Sequence, residues 1–333
     1  MEIKDKLISE LNSRYFPPRG ATLVVAVSGG VDSVVLLHVI SLLSVSWDWE
    51  IIVAHFNHNL RKLAIRDAKF VKELAASLGL KFVLGSADVK KVAAAKKMTI
   101  EEAGRVERYR WLQTIAKKYR AERIVTAHTA DDQTETVIMN WLRGGLVRAL
   151  SGMREKEGNI WRPFLRINKT ELIKFVKHYH IQFREDKTNR DVMYTRNLIR
   201  HQLLPILDKI NPSFRIVLSR NTESWSNLEN WLDQQLNDIY KKASLKGKSG
   251  EVIFNEDKFK ELNPFWQNEL LLMAVQQIKG DRQDWSKAHL DEAKAVIDSA
   301  RKTSWKQLPG KLFLSRGYGK ISISCYQPKF IDK

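Results

Sequence analysis

The 333-residue sequence predicts an α/β protein: a parallel sheet with helices on both faces, followed by a smaller, mainly helical domain. Three observations predict it. Short apolar runs alternate with amphipathic segments through the first part of the chain. A glycine turn follows the first apolar run directly, as it does where a buried strand feeds a helix. Beyond about residue 145 the alternation stops, and long helical stripes take over.

Taken in order, LVVAV at 23–27 reads as a buried strand, SGGVDS at 28–33 as a turn, and VVLLHVI as the start of a helix. Glu50–His55 is a second strand. Asp67–Leu78 carries Phe70, Val71, Leu74, Ala75 and Leu78 at helical spacing. Lys81–Leu84 is a short strand, Ile100–Tyr119 a long helix, Arg123–His128 a strand and Thr134–Leu142 a helix. Ligands of such sheets bind beyond the C-terminal strand ends, where the first glycine turn lies.

Trp161-Arg162-Pro163-Phe164 breaks the rhythm, and Asn168 with Glu171 forms a capping pair for a helix over Lys169–Tyr179. The stretch 184–201 is polar and arginine-rich, and turns helical toward Leu207. Asn211-Pro212 marks a break. From there the stripe Trp225, Leu228, Trp231, Leu232, Leu236 and Ile239 predicts a helix whose apolar face is core. Further helices are expected over Pro264–Ile278 and His289–Ser299, and a hairpin around Gly317–Gly319. The expected division is therefore a catalytic domain over 1–210 and a mainly helical one, with a short C-terminal β segment, over 211–333.

Composition narrows the class. Lys and Arg number 56 against 38 Asp and Glu, a net charge of +18 that points to a polyanionic partner, nucleic acid first. The single cysteine, Cys325, excludes an internal disulfide framework, a Cys-x-x-Cys metal site and a cysteine-held cluster. No apolar run approaches the ~18–20 residues of a membrane span, and the N-terminus lacks a secretory apolar region. A cytoplasmic protein without a membrane partner is expected.

The glycine turn carries the first chemistry. Adjacent Gly29 and Gly30 let backbone amides approach phosphate oxygens, the following helix adds its positive end, and Ser28 and Ser33 add hydroxyls. The lysine of GxxxxGK[ST] and the third glycine of GxGxxG are both missing. Asp32 would repel phosphate unless a divalent cation intervenes or it faces another substrate; otherwise it is simply an acid in a helix first turn.

SGGVDS after an apolar strand resembles the pyrophosphate loop of the N-type ATP pyrophosphatases, the PP-loop superfamily, with an adenine nucleotide alpha hydrolase-like fold. Four further stretches resemble, more narrowly, the tRNA(Ile)-lysidine synthetase family. They are His55-Phe56-Asn57-His58-Asn59-Leu60-Arg61, Glu102-Ala103-Gly104-Arg105 with Arg108-Tyr109, the run from Thr126 to Thr136, and Thr195-Arg196-Asn197-Leu198-Ile199-Arg200-His201. The matching motifs cover roughly residues 20–205. KLAIRDAKF after Arg61 departs from the family's pattern, and longer members carry an additional C-terminal domain.

The resemblance implies ATP and Mg²⁺ as cofactors, with Ser28, Gly29, Gly30, Val31, Asp32, Ser33, His55, Arg105 and His128 around the nucleotide and Asp32 toward the metal. It implies free L-lysine and the isoleucine tRNA with a CAU anticodon as substrates. Attack by cytosine O2 on the α-phosphate and then by the lysine amine at C2 would give lysidine. A lysine side chain needs carboxylate neighbours and must lose a proton. Asp131, Asp132 and Glu135, at a helix start, meet that need or merely complement the helix dipole. His128 either faces the nucleotide or is a structural histidine. Arg61, Arg108, Arg143, Arg196, Arg200 and His201 are the candidates for tRNA contact. A thiolating PP-loop enzyme and a non-catalytic RNA-binding protein are the competing readings, and a homodimer is left open.

Overall fold

The computed structural model describes residues 3–11, 15–58, 64–143, 147–184, 195–280 and 285–328. It divides into two compact units, Met1–Ser226 and Asn227–Lys333.

In the first unit the elements run α1 (Ile3–Leu11), β1 (Thr22–Ala26), α2 (Val31–Trp47), β2 (Glu50–Asn57), α3 (Ala64–Ser77), β3 (Lys81–Ser86), α4 (Val89–Lys96) and α5 (Ile100–Lys118). There follow β4 (Arg123–Val125), α6 (Ala130–Leu142), α7 (Val147–Leu150), β5 (Lys156–Glu157), β6 (Ile160–Trp161) and α8 (Lys169–His178). α9 (Thr195–Leu198) runs through a π-helical turn, Ile199–Leu203, into α10 (Leu204–Ile210). The 30-residue α11 (Phe214–Ala243) comes next, and the division between units falls inside it.

The sheet order is β3-β2-β1-β4-β6-β5, parallel except for the short β5–β6 edge pair. Both faces are covered, which is why the strands read as continuous apolar runs. Leu23, Val25, Ile51 and Val53 join the core beneath α2 and α8, while Val24, Ile52 and Ile124 pack with Leu112 and Ile115 of α5. Alternate residues of β1 thus serve opposite layers. α2 is buried over most of its circumference, as an apolar helix between layers must be.

The second unit holds β7 (Ser244–Leu245), β8 (Glu251–Asn255), α12 (Glu256–Lys260), α13 (Pro264–Lys279), α14 (Lys287–Ile297), β9 (Ser304–Leu308), β10 (Leu312–Gly317) and β11 (Lys320–Ser324). Helices predominate, but the β part is a five-stranded antiparallel sheet, β7-β8-β11-β10-β9, rather than one hairpin. The expected hairpin is present: Gly317 pairs with Lys320 across Tyr318 and Gly319, both at positive φ, the left-handed pair a tight right-twisting turn requires. Strands β8 and β9 escaped the sequence reading because each is short and half-polar. The stripe along α11 is only partly core. Leu236 is buried with Phe254 and Leu271, while Leu228 and Trp231 are 42% and 52% exposed. Among the described residues no helix is long and apolar enough to cross a membrane.

Candidate nucleotide site at the strand ends

The chain leaves β1 for β2 on one side and returns to place β4 on the other, so the crevice between the ends of β1 and β4 is the sheet's switch point. Three segments lie at this end of the sheet: the turn after β1, His55–His58 at the end of β2, and Thr126–Thr129 after β4.

In the turn, Gly29 has φ +96°, a conformation L side chains avoid, and a Cβ there would meet Phe70 and Val71 at 3.5 Å. Ser33 Oγ donates to the Gly30 carbonyl at 2.9 Å and accepts from the amides of Ser28 and Gly29, each at 3.2 Å. Gly30 is the N-cap of α2 and supplies no side-chain cap, so the first-turn amides face outward. The Gly29 carbonyl accepts from the Arg184 amide at 2.9 Å. His55 lies 2.8 Å from the Val27 carbonyl through Nδ1 and is only 4% exposed. Burial lowers its pKa, so the neutral ring donates to Val27 and holds the strand end that carries the turn.

Asp32, in the first turn of α2, has two unlike oxygens. Oδ2 is 3.4 Å from Lys169 Nζ; Oδ1 is buried with no hydrogen-bond partner among the described residues. Burial raises its pKa, partly opposed by Lys169 and reinforced by the charge of Asp132.

The α6 acids are, by contrast, engaged. Asp132 and Thr129 form a capping box: Asp132 Oδ2 accepts from the Thr129 amide and hydroxyl at 2.9 Å. Its Oδ1 is 3.2 Å from Arg196 Nη2 and 3.5 Å from Arg200 Nη2. Burial alone would raise the Asp132 pKa, but Arg196, Thr129 and His128 together hold it below the usual carboxylate value. Glu135 is fully buried and accepts from Arg196 Nε at 2.7 Å and from Arg200 Nε and Nη2 at 2.5 and 2.9 Å. Asp131 Oδ2 accepts from the Lys169 amide at 2.8 Å, and Oδ1 from Arg215 Nη1 at 2.7 Å; Arg215 also grips Asp208.

The expected Asn168–Glu171 capping pair does not form. Asn168 makes no side-chain cap, Glu171 pairs with Lys6, and Asp131 caps α8 from another element. Arg196 and Arg200, expected as tRNA contacts, pair with Glu135 and Asp132. His201, in the π-helical turn, stays exposed, as does Arg143 at the C-cap of α6. Arg61 lies outside the described residues.

A basic group lines the other side. Arg105 and Arg108 stand 5.2 and 5.3 Å from the Tyr109 ring centre. Burial lowers the Arg108 pKa, and the charges of Arg105 and Arg196 lower it further. Burial and Arg108 push His58 down to about 4; burial, against Asp132 and with Arg108, pushes His128 down to about 3. His128 Nδ1 is 3.0 Å from Thr126 Oγ1. Cations that crowd one another in this way favour an incoming anion. Among the described residues no three His, Cys, Asp or Glu side chains group as a metal site. The orphan Asp32 oxygen does fit a cation.

Sequence reasoning missed Lys169, Arg184 and Arg215. The one available hint was the lysine absent from the glycine turn itself.

The geometry and the comparisons agree on the class. The PP-loop domain family matches residues 3–207, and the chain belongs to that family. Its fold is similar to that of a U34-tRNA thiolase from Methanococcus maripaludis, with a TM-score of 0.57 at 14% identity over 67% of this chain and 77% of the other. Within the family it stands with the tRNA(Ile)-lysidine synthases. It is 31% identical to that of Clostridioides difficile over 97% of this chain and 70% of the relative. It is 36% identical to that of Thermosipho africanus over 71% of this chain and 56% of the relative. The chain thus spans 56% to 70% of the length of these curated relatives.

Proposed function

We propose that this chain ligates free L-lysine to the wobble cytidine of the isoleucine tRNA with a CAU anticodon, converting ATP to AMP and diphosphate. The observation that carries the proposal is a joint one. The chain matches lysidine synthases across most of its length, and its PP-loop lies at the sheet's switch point ahead of a helix with no side-chain cap.

The turn Ser28–Ser33 holds the β- and γ-phosphates through backbone amides. Cytosine O2 attacks the α-phosphorus; the bond to the bridging oxygen breaks and diphosphate stays on the turn. The lysine ε-amine, having given up a proton, attacks C2 of the adenylated base, and AMP leaves with the O2 oxygen. Asp32 Oδ1 would hold Mg²⁺, which neutralises phosphate charge when bound. Asp131, Asp132 and Glu135 act through their arginine pairs as a frame, with Asp132 nearest in charge to Asp32. Arg105, Arg108 and His128 meet the nucleotide or the anticodon backbone, and exposed Arg143 and His201 the RNA beyond it. The target cytosine is unpaired in its loop, so presenting it needs little unstacking. The +18 net charge supports a polyanionic substrate, and the second unit is assigned to reading tRNA features outside the anticodon. The substrates place the reaction in the cytoplasm.

The test is incubation with labelled lysine, ATP and a transcript of that tRNA. Incorporation at the wobble cytidine with matching AMP release is expected. RNA binding without ATP turnover would overturn the proposal.

A further inference from the structure

Common nucleotide loops carry a lysine that reaches the β- and γ-phosphates; this loop has none in sequence. The fold brings one from elsewhere. Lys169 opens α8, and its ammonium stands 3.4 Å from Asp32 Oδ2, in the first turn of α2. Its backbone is fixed by the Asp131 carboxylate, which accepts from the Lys169 amide at 2.8 Å. Asp131 is itself held by Arg215, and Arg215 by Asp208. The start of α8 is therefore pinned to the start of α6, while the Lys169 side chain reaches across to α2. The native cap position, Asn168, contributes no side-chain bond, which leaves Asp131 as the anchor.

The Lys169–Asp32 contact is loose. At 3.4 Å it is longer than a tight charge-assisted bond, and the side chains are 38% and 25% exposed. A long, half-buried pair of this kind is weaker than a tight one, so the ammonium can leave Asp32 for a stronger acceptor. A flexible four-carbon stem bearing a point charge suits that exchange.

We propose that Lys169 is the phosphate-binding lysine of the glycine loop, delivered from α8, and that Asp131 and Arg215 position it. Its charge rests on Asp32 and would pass to the phosphate oxygens of a bound nucleotide. This deepens the reading above and rests on the triphosphate lying at that loop.

The experiment uses the full chain, a non-hydrolysable α,β-methylene ATP analogue with Mg²⁺, and calorimetry. Lys169→Met keeps the stem and removes the charge; analogue affinity should fall about 10- to 100-fold. Lys169→Arg should recover most of that loss, and Arg215→Met should show a smaller one. The thermal midpoint of Lys169→Met should stay close to that of the parent, because the ion pair removed is long and only half-buried. Wild-type affinity in Lys169→Met, or failure of Lys169→Arg to recover any, overturns the assignment. If the parent chain binds the analogue yet makes no lysidine, the proposed reaction fails, while the comparison with Lys169→Met still decides the role of Lys169.

Discussion

α2 and α6 leave neighbouring strands of the same sheet, yet their first turns differ. α6 is closed by its own residues: Thr129 and Asp132 satisfy each other's amides. α2 has glycine at its N-cap and no side-chain cap. A helix N-terminus attracts anions in proportion to what is left unpaired there, so of these two only α2 offers a phosphate site. The acids follow the same division. Asp32 keeps an oxygen without a partner, whereas Asp132 and Glu135 are held by Arg196 and Arg200. Position at a strand end is shared; readiness to take a ligand is not.

The sharpest way to break this contrast is to exchange the roles of the acids. Asp32→Ala should abolish ATP-dependent adenylation, measured as diphosphate release, and leave RNA binding intact; loss of RNA binding in a folded variant would contradict it. Glu135→Ala should instead cost stability, about 3 kcal/mol, since it strands two arginines around a buried site. An unchanged urea midpoint would remove Glu135 from the frame. Arg200→Ala should cost roughly 1–3 kcal/mol by the same measure and leave the salt slope of tRNA binding unaltered. A slope smaller by about 1 would instead return Arg200 to the RNA.

The histidines give a smaller, graded effect. His58 and His128 have folded pKa values of about 4 and about 3, below the unfolded 6.5. Above pH 6.5 neither state binds the proton and stability is unaffected. As pH falls below 6.5 the unfolded chain alone takes it up, so stability drops by up to about 1.4 kcal/mol per pH unit for each histidine, until the folded pKa is reached. Urea midpoints at pH 7 and 5 test this, with His58→Gln reducing the drop. Smallest is Gly30→Ser. It gives α2 the cap it lacks, at an ordinary φ of −71° and with a Cβ 3.5 Å from Ser28 Oγ. Stability should change by less than about 1 kcal/mol, and ATP affinity should fall several-fold as the hydroxyl competes for the amides. Unaltered affinity would mean those amides do not bind phosphate.

What the sequence made legible is what is local. The glycine turn, the helix start at Ile100 and the hairpin at Tyr318-Gly319 each depend on a few consecutive residues. The frame around the acids does not. Arg196 and Arg200 meet Glu135 across 61 and 65 residues, and Arg215 meets Asp131 across 84. Arg196 and Arg200 could be named from the sequence as candidates for tRNA contact, but not as partners of Glu135 and Asp132. Asn168 and Glu171 had the right spacing for a cap; competition from Asp131 and Lys6, invisible locally, took both ends of it. Lys169 was legible as a helix start and became a site residue only through the fold.

The Ser33 hydroxyl, bonded to two amides of its own turn, has a consequence for turnover. If the loop binds diphosphate as proposed, those amides pass back to the Ser33 oxygen when it departs, instead of baring donors to solvent. The leaving anion would then be held by the difference between two sets of bonds, which favours brisk discharge of product over tight retention.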